Sequence, residues 1–298
     1  MKLLLNILLF TTLLSSCNSK AFLFTSFHEP ADEGLRFLYS EDGYNWKDMN
    51  KTFLKPEAGS RVMRDPSMVQ GPDGTFHLVW TSGWNKDRGF GYAHSKDLIH
   101  WSKQQFIEVM PDTTTVNVWA PELFYDDVEN QYIIVWASTI PFKFPKGIEE
   151  ERNNHRLYYT TTKDFKTFSP TRLFLDPGFS VIDAVIVKLS NDDYALVLKD
   201  NTRPNRNLKI AFGKTALGPY SNISKPVTDN FTEGPSVVFT GQEWLIYFDA
   251  YQQKTYGALR TTDFLFFENI NNKISVPEGH KHGTIVVVNK KIIKRLLK

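Results

Sequence analysis

The feature that most restricts this chain is that it repeats itself at two interleaved levels. Five segments, opening at Asp65, Ala120, Asp183, Gly234 and His282, each run an apolar strand into a polar turn (PDG, DVEN, SNDD, TGQE, NKK) and return as a second apolar strand. This is the signature of a hairpin. Successive openings lie 48 to 63 residues apart, the length of a four-stranded propeller blade with variable loops. A second unit alternates with the first: SEDGYNW (40–46), SKDLIHW (95–101), TKDFKTF (162–168) and TTDFLFF (261–267). Each has a hydroxyl residue, an acid two places on and an aromatic four after that, which predicts a turn followed by a short outer strand.

The two ends of the pattern complement each other. The fifth opening lacks a turn-aromatic unit after it, and the first turn-aromatic unit lacks an opening before it. The segments AFLFTSF and LRFLYS are therefore expected to complete the last blade from the other end of the chain. The predicted fold is all-β, a five-bladed β-propeller with its last blade closed by N-terminal strands; two stacked β-sandwiches are the rival architecture. The segment 141–159 reads as one long polar loop, and NKKIIKRLLK as a terminal strand with a solvated tail. With 35 basic and 33 acidic residues spread along the sequence, nothing suggests a nucleic-acid partner.

The first residues, MKLLLNILLFTTLLSSCNSK, carry one lysine and an apolar stretch too short for a transmembrane helix, as in a secretory signal. Leu14-Ser15-Ser16-Cys17 resembles a bacterial lipobox, and Cys17 is the only cysteine, so no intramolecular disulfide can form. Residues 1–16 are expected to be a signal peptide, 17–20 a lipidated Cys17 with a short tether, and 21–298 a single catalytic domain. This places the protein at the bacterial cell envelope, touching the membrane only through its lipid anchor, as a monomer.

In a propeller the loops entering the innermost strands converge on one funnel, so the openings gather residues distant in sequence. Asp65, Asp183 and Glu233 lie at three of them, with Glu122 and His282 at the other two. Asp183 sits within an apolar run, where an unpaired carboxylate would be costly. Carboxyl groups gathered in a pocket suit glycoside hydrolysis, in which one donates a proton to the leaving oxygen and another activates water. Mutual repulsion and burial raise the pKa of one member. Trp84, Trp119, Phe90 and Tyr92 are placed to stack on a sugar. The basic residues Arg152, His155 and Arg156, and Lys199, Arg203 and Arg206, would wall one side of the pocket.

The ordered set RDPSM, WAPEL, VIDAV and TEGPSV, with HKHGT near the end, resembles glycoside hydrolase family 43, a family of five-bladed propellers. The resemblance covers about residues 21 to 292. It implies Asp65 as general base, Asp183 as the residue that orients the acid and adjusts its pKa, and Glu233 as general acid. His282 matches a histidine that helps hold a calcium ion or ordered water; no cofactor is needed for the chemistry itself. Inversion of anomeric configuration is implied, for which carboxyl separations of roughly 6.5–9.5 Å leave room for water. The sequence departs from the pattern at Ala184, usually proline, and at Glu122, more commonly aspartate. Arg64, Trp84, Trp119, Glu122, Lys199 and Arg260 are expected to contact substrate. The related β-fructosidases share an RDP motif, but their early N-D-P-N nucleophile and the cysteine after the acid are missing here.

The expected function is that of an inverting exo-glycosidase acting on plant-type polysaccharide fragments. Terminal α-L-arabinofuranose is the leading substrate, with xylose or galactose as alternatives. A non-catalytic glycan-binding lipoprotein is the rival from another class, and a scaffold propeller the third.

Overall fold

The computed structural model describes residues 20–298; Cys17 and the expected signal peptide lie outside them. Strands β1 (Lys20–Ser26), β2 (Leu35–Ser40) and β3 (Lys47–Leu54) come first. They are followed by β4 (Arg64–Gln70), β5 (Phe76–Thr81), β6 (Gly89–Ser95) and β7 (Gln105–Glu108), then β8 (Trp119–Asp126), β9 (Gln131–Ser138), β10 (Arg156–Thr162) and β11 (Arg172–Leu175). The next sheet comprises β12 (Val181–Ser190), β13 (Asp193–Asp200) and β14 (Asn207–Gly213), and after it come β15 (Thr232–Phe239), β16 (Trp244–Ala250), β17 (Thr255–Thr261) and β18 (Glu268–Asn269). Finally β19 (Ile285–Asn289) returns to pair with β1, giving a sheet of order β19-β1-β2-β3. The fold is a five-bladed β-propeller whose last blade is shared by the two ends of the chain.

The turn-aromatic units explain themselves at atomic level. Ser40, Ser95, Thr162 and Thr261 each accept, through the side-chain oxygen, the backbone N–H three residues on, at 2.8–2.9 Å. The acid two places after each hydroxyl then accepts two further backbone N–H groups, as Asp263 does from Leu265 and Phe266. The third residue after each hydroxyl, Gly43, Leu98, Phe165 or Phe264, has positive φ. Satisfying three backbone donors offsets that strained conformation. The sheet without such a unit is the one with three strands, where only a bridge between Phe212 and Ser221 marks the outer position.

Alternate residues of each blade enter different cores. Leu78 packs into a cluster with Leu23 and Phe37 of the closing blade, whereas its neighbour Val79 joins Leu123, Ile134 and Trp136 of the next blade. Five such clusters fill the five blade interfaces. The period-2 alternation of a strand thus buries both faces of every sheet.

Two expectations need correction. The final residues do not return as a strand: Lys290–Leu296 form helix α1, capped by the Asn289 side chain, which accepts the Lys291 N–H. The place beside β19 is already taken by β1, and Ile293 and Leu296, three apart, bury into the neighbouring core instead. The 141–159 segment is a loop only in its first part, containing a 3-10 turn at Glu151–Asn153 before Arg156 begins β10.

Closure rests on a buried aromatic group. Phe24 on β1 is fully buried and packs edge-on against Trp46 at 5.3 Å and Tyr256 at 5.6 Å. Phe24→Ala is expected to lower unfolding free energy by about 3–5 kcal/mol, checked by the shift in urea midpoint at unchanged slope.

Candidate active site

The innermost strands β4, β8, β12, β15 and β19 touch one another around the ring. Four of them enter through the same irregularity. Pairing with the second strand slips between Arg64 and Ser67, Trp119 and Glu122, Ile182 and Val185, and Glu233 and Ser236. At each slip one residue has positive φ: Asp65 (49°), Ala120 (45°), Asp183 (52°) and Gly234 (59°). Bulges of this kind re-aim side chains at the rim of a sheet, and non-glycine residues held there store strain typical of functional sites.

The re-aimed groups meet. Asp65, Asp183 and Glu233 line one cavity of about 200 Å³, together with Asp249, Lys281 and His282 on its walls and Arg64, Trp84 and Trp119 at its mouth. Asp65 accepts the Thr81 hydroxyl at 2.9 Å, and its other oxygen lies 3.3 Å from His282 Nδ1. Asp183 accepts the Gly234 N–H at 3.1 Å. The Lys199 ammonium donates to Glu233 at 2.6 Å, and Lys281 to Asp249 at 2.8 Å. Arg64 stacks 3.9 Å from the Trp84 ring and contacts Glu29. Trp84 is half exposed, its ring edge-to-face with Trp119, which is backed in turn by His155.

These contacts divide the protons unequally. Burial pushes the Asp65 carboxyl up, but the His282 hydrogen bond and charge, with Arg64 and Thr81, outweigh it and leave the group below its ordinary value. Burial dominates at Asp183, and neighbouring carboxylates add to it, so this group is raised. At Glu233, whose side chain is a third open to the cavity, the charge and hydrogen bond of Lys199 overcome burial and hold the pKa down. Burial disfavours charge on His282, yet Asp65, Asp183 and Glu122 raise it to about 9.

The sequence from residue 18 to residue 293 matches the family described as a probable glycosyl hydrolase domain related to family 43. The chain belongs to that glycosyl hydrolase family. An α-L-arabinofuranosidase of Bifidobacterium longum is 24% identical over 179 residues, 51% of this chain, although this chain covers only 17% of that much longer protein. Among solved structures, a thermostable family-43 glycoside hydrolase superposes with a TM-score of 0.58 at 15% identity, covering 76% of this chain and 82% of the other. An α-L-arabinofuranosidase from Lactobacillus brevis gives 0.54 at 18% identity, covering 70% and 72%. These structural likenesses establish the propeller fold.

Within this family 43-type domain, several residues expected at the site lie elsewhere. Glu122 does not line the cavity. It stands two residues beyond the bulge at Ala120, so it falls one layer down the channel, level with Ser67, Ser236 and Thr284, and accepts the Thr284 hydroxyl at 3.2 Å. Burial lifts its pKa to about 7. Arg260, on β17 and far out in its blade, binds Glu268 at 2.5 Å on the surface. Phe90 and Tyr92 are buried in a blade interface with Trp136 and Phe165. Of the basic residues thought to wall the pocket, none lines it; Arg156 is buried against Asp176 and Arg203 binds Glu149. Lys199 reaches the cavity through Glu233.

A calcium ion near His282 would need six to eight oxygen ligands; Asp65, 3.3 Å from the ring, is the acid in contact with it. Asp249 and Lys281 were not anticipated from sequence. Asp249 is the cross-strand partner of Glu233, and such pairing is the signal that would have found it.

Gly234 is required by this geometry, since a Cβ there would fall 2.6 Å from Cγ of His282 in a backbone already at φ +59°. Gly234→Ala is expected to destabilise the fold by at least about 1–2 kcal/mol and to displace His282. Denaturant midpoints and the imidazole NMR resonances of His282 would report both effects.

Proposed function

We propose that this chain is an inverting exo-glycosidase that removes terminal sugars from plant-type polysaccharide fragments, with α-L-arabinofuranose as the leading substrate. The observation that carries this reading is the convergence of Asp65, Asp183 and Glu233, from three separate blades, on a cavity of about 200 Å³. Space of that size admits a single sugar ring, which favours removal of end residues over cleavage within a chain. The arabinofuranosidase names of the Bifidobacterium and Lactobacillus proteins support the choice of sugar.

In this mechanism Asp65, already ionised, takes a proton from water as the water oxygen attacks the anomeric carbon. The bond from that carbon to the leaving oxygen breaks while Glu233 gives that oxygen a proton. Glu233 is held ionised by Lys199 in the free site, whereas burial favours the protonated form of Asp183. Glu233 must gain a proton before it can act as the acid, and Asp183, which accepts the N–H of the adjacent Gly234, is the carboxyl placed to adjust it. Trp84, exposed at the mouth, supplies a flat apolar face for the sugar.

Para-nitrophenyl glycosides of α-L-arabinofuranose, β-D-xylopyranose and β-D-galactopyranose test the substrate, and NMR of the released sugar's anomeric proton tests inversion. Asp65→Ala and Glu233→Gln are expected to lower kcat by about 10²–10⁴-fold with oligosaccharide affinity within a few fold of the parent. Undiminished turnover in both would remove the catalytic assignment. Binding without turnover in the parent protein would instead indicate a glycan-capture module.

Lys199→Met should move the pH profile in a defined direction. Lys199 lowers the Glu233 pKa, and a general acid must be protonated, so losing the ammonium raises that pKa and shifts the alkaline limb of kcat/KM to higher pH. An unmoved or downward-shifted limb would show that Lys199 does not set the acid.

A further inference from the structure

Outside the cavity, a second group of titratable side chains has no role in the reaction above. His28 follows β1, Asp48 lies on β3 and His280 precedes β19. A ring nitrogen of His28, a ring nitrogen of His280 and a carboxylate oxygen of Asp48 lie within 4.8 Å of one another. The His280 side chain is fully buried, with Nε2 3.2 Å from Asp48 Oδ2.

The hydrogen bonds fix what these atoms offer. His280 Nδ1 contacts the Ser26 hydroxyl at 3.1 Å. That hydroxyl already donates to the Lys281 carbonyl at 2.9 Å and accepts the Lys281 N–H at 3.1 Å. With the hydroxyl proton on the Lys281 carbonyl, His280 Nδ1 is the donor to Ser26 and Nε2 is the nitrogen left to meet a cation. Such a bond on the far ring nitrogen is what orients a metal-binding histidine. Nε2 of both His28 and His280 is buried without a hydrogen-bond partner. His280 Nε2 and the Asp48 carboxylate, 3.2 Å apart, are a pair that a shared proton or a bound cation bridges.

We propose that His28, Asp48 and His280 bind one first-row divalent metal ion, of which Zn2+ is the best match, and that this ion pins the two ends of the chain into the closing blade. Two imidazoles and a carboxylate form a common set for such ions. With bonds of about 2.1 Å the donors must draw closer together, and His28 and Asp48, both part-exposed, have room to do so. Arg36, 3.7 Å from the same Asp48 oxygen, opposes a dication, but Glu33 engages that guanidinium at 3.0 Å. His28 and His280 also line a surface cavity of about 580 Å³, which gives an ion a route from solvent.

The test uses the full chain stripped with EDTA and titrated calorimetrically with Zn2+ alone. One ion should bind per chain and raise the thermal unfolding midpoint. His28→Gln and Asp48→Asn should each weaken binding by at least about tenfold, while Asp65→Asn, in the other cluster, should not. Two-dimensional NMR of the imidazole nitrogens in the parent protein needs no variant: Nε2 of both His28 and His280 should shift on adding Zn2+. Absence of saturable binding, equal affinity in the two site variants, or unmoved His28 and His280 resonances would overturn the assignment.

Discussion

Pairing between β1 and β19 is the contact on which the remainder of the molecule depends. Each blade buries both faces against its neighbours, so an open ring would expose two whole sheet faces. Supplying one blade from both chain ends removes them and fixes the ring at five. It also decides where His282 stands, because the turn entering β19 can reach Asp65 on β4 only when the circle is complete.

Closure concentrates charge in consecutive residues. His280, Lys281 and His282 face Asp48, Asp249 and Asp65, three acids from three different blades. Asp65, Asp183, Glu233 and Asp249 meet Lys281 and His282 in the cavity, with Lys199 behind Glu233. At Asp65, beside His282, and Glu233, beside Lys199, ionisation is favoured; at Asp183, which accepts a backbone N–H, and at Asp249, despite Lys281, burial wins. Asp65 and Glu233 are thus biased towards the ionised form and Asp183 towards the protonated one, although all three stand at similar positions in their blades.

Much of this was legible along the chain. The hydroxyl-x-acid spacing encodes a local turn, and local hydrogen bonds follow from local sequence, so four outer-strand turns could be placed directly. The five openings were equally readable because a strand that buries both faces must be apolar throughout. Asp183 stood out as an acid within an apolar run, and Asp65 and Glu233 through their equivalent places at the openings of the repeat. Glu122 shows the limit: counted from its motif it is level with the others, but the bulge at Ala120 sets it one layer lower. Arg260 fails for a related reason, since a blade's third strand lies far from the axis.

The sequence by itself determined an all-β ring of five, closed by its ends, with three carboxyl groups at the entrances of inner strands, because periodicity and turn chemistry act over a few residues. Only the tertiary structure decided which cation each acid meets, why Asp249 and Lys281 join them, that the last residues coil into a helix, and that His28, Asp48 and His280 gather beside β1. Those outcomes depend on distances between segments up to two hundred and fifty residues apart, and no local pattern carries that information.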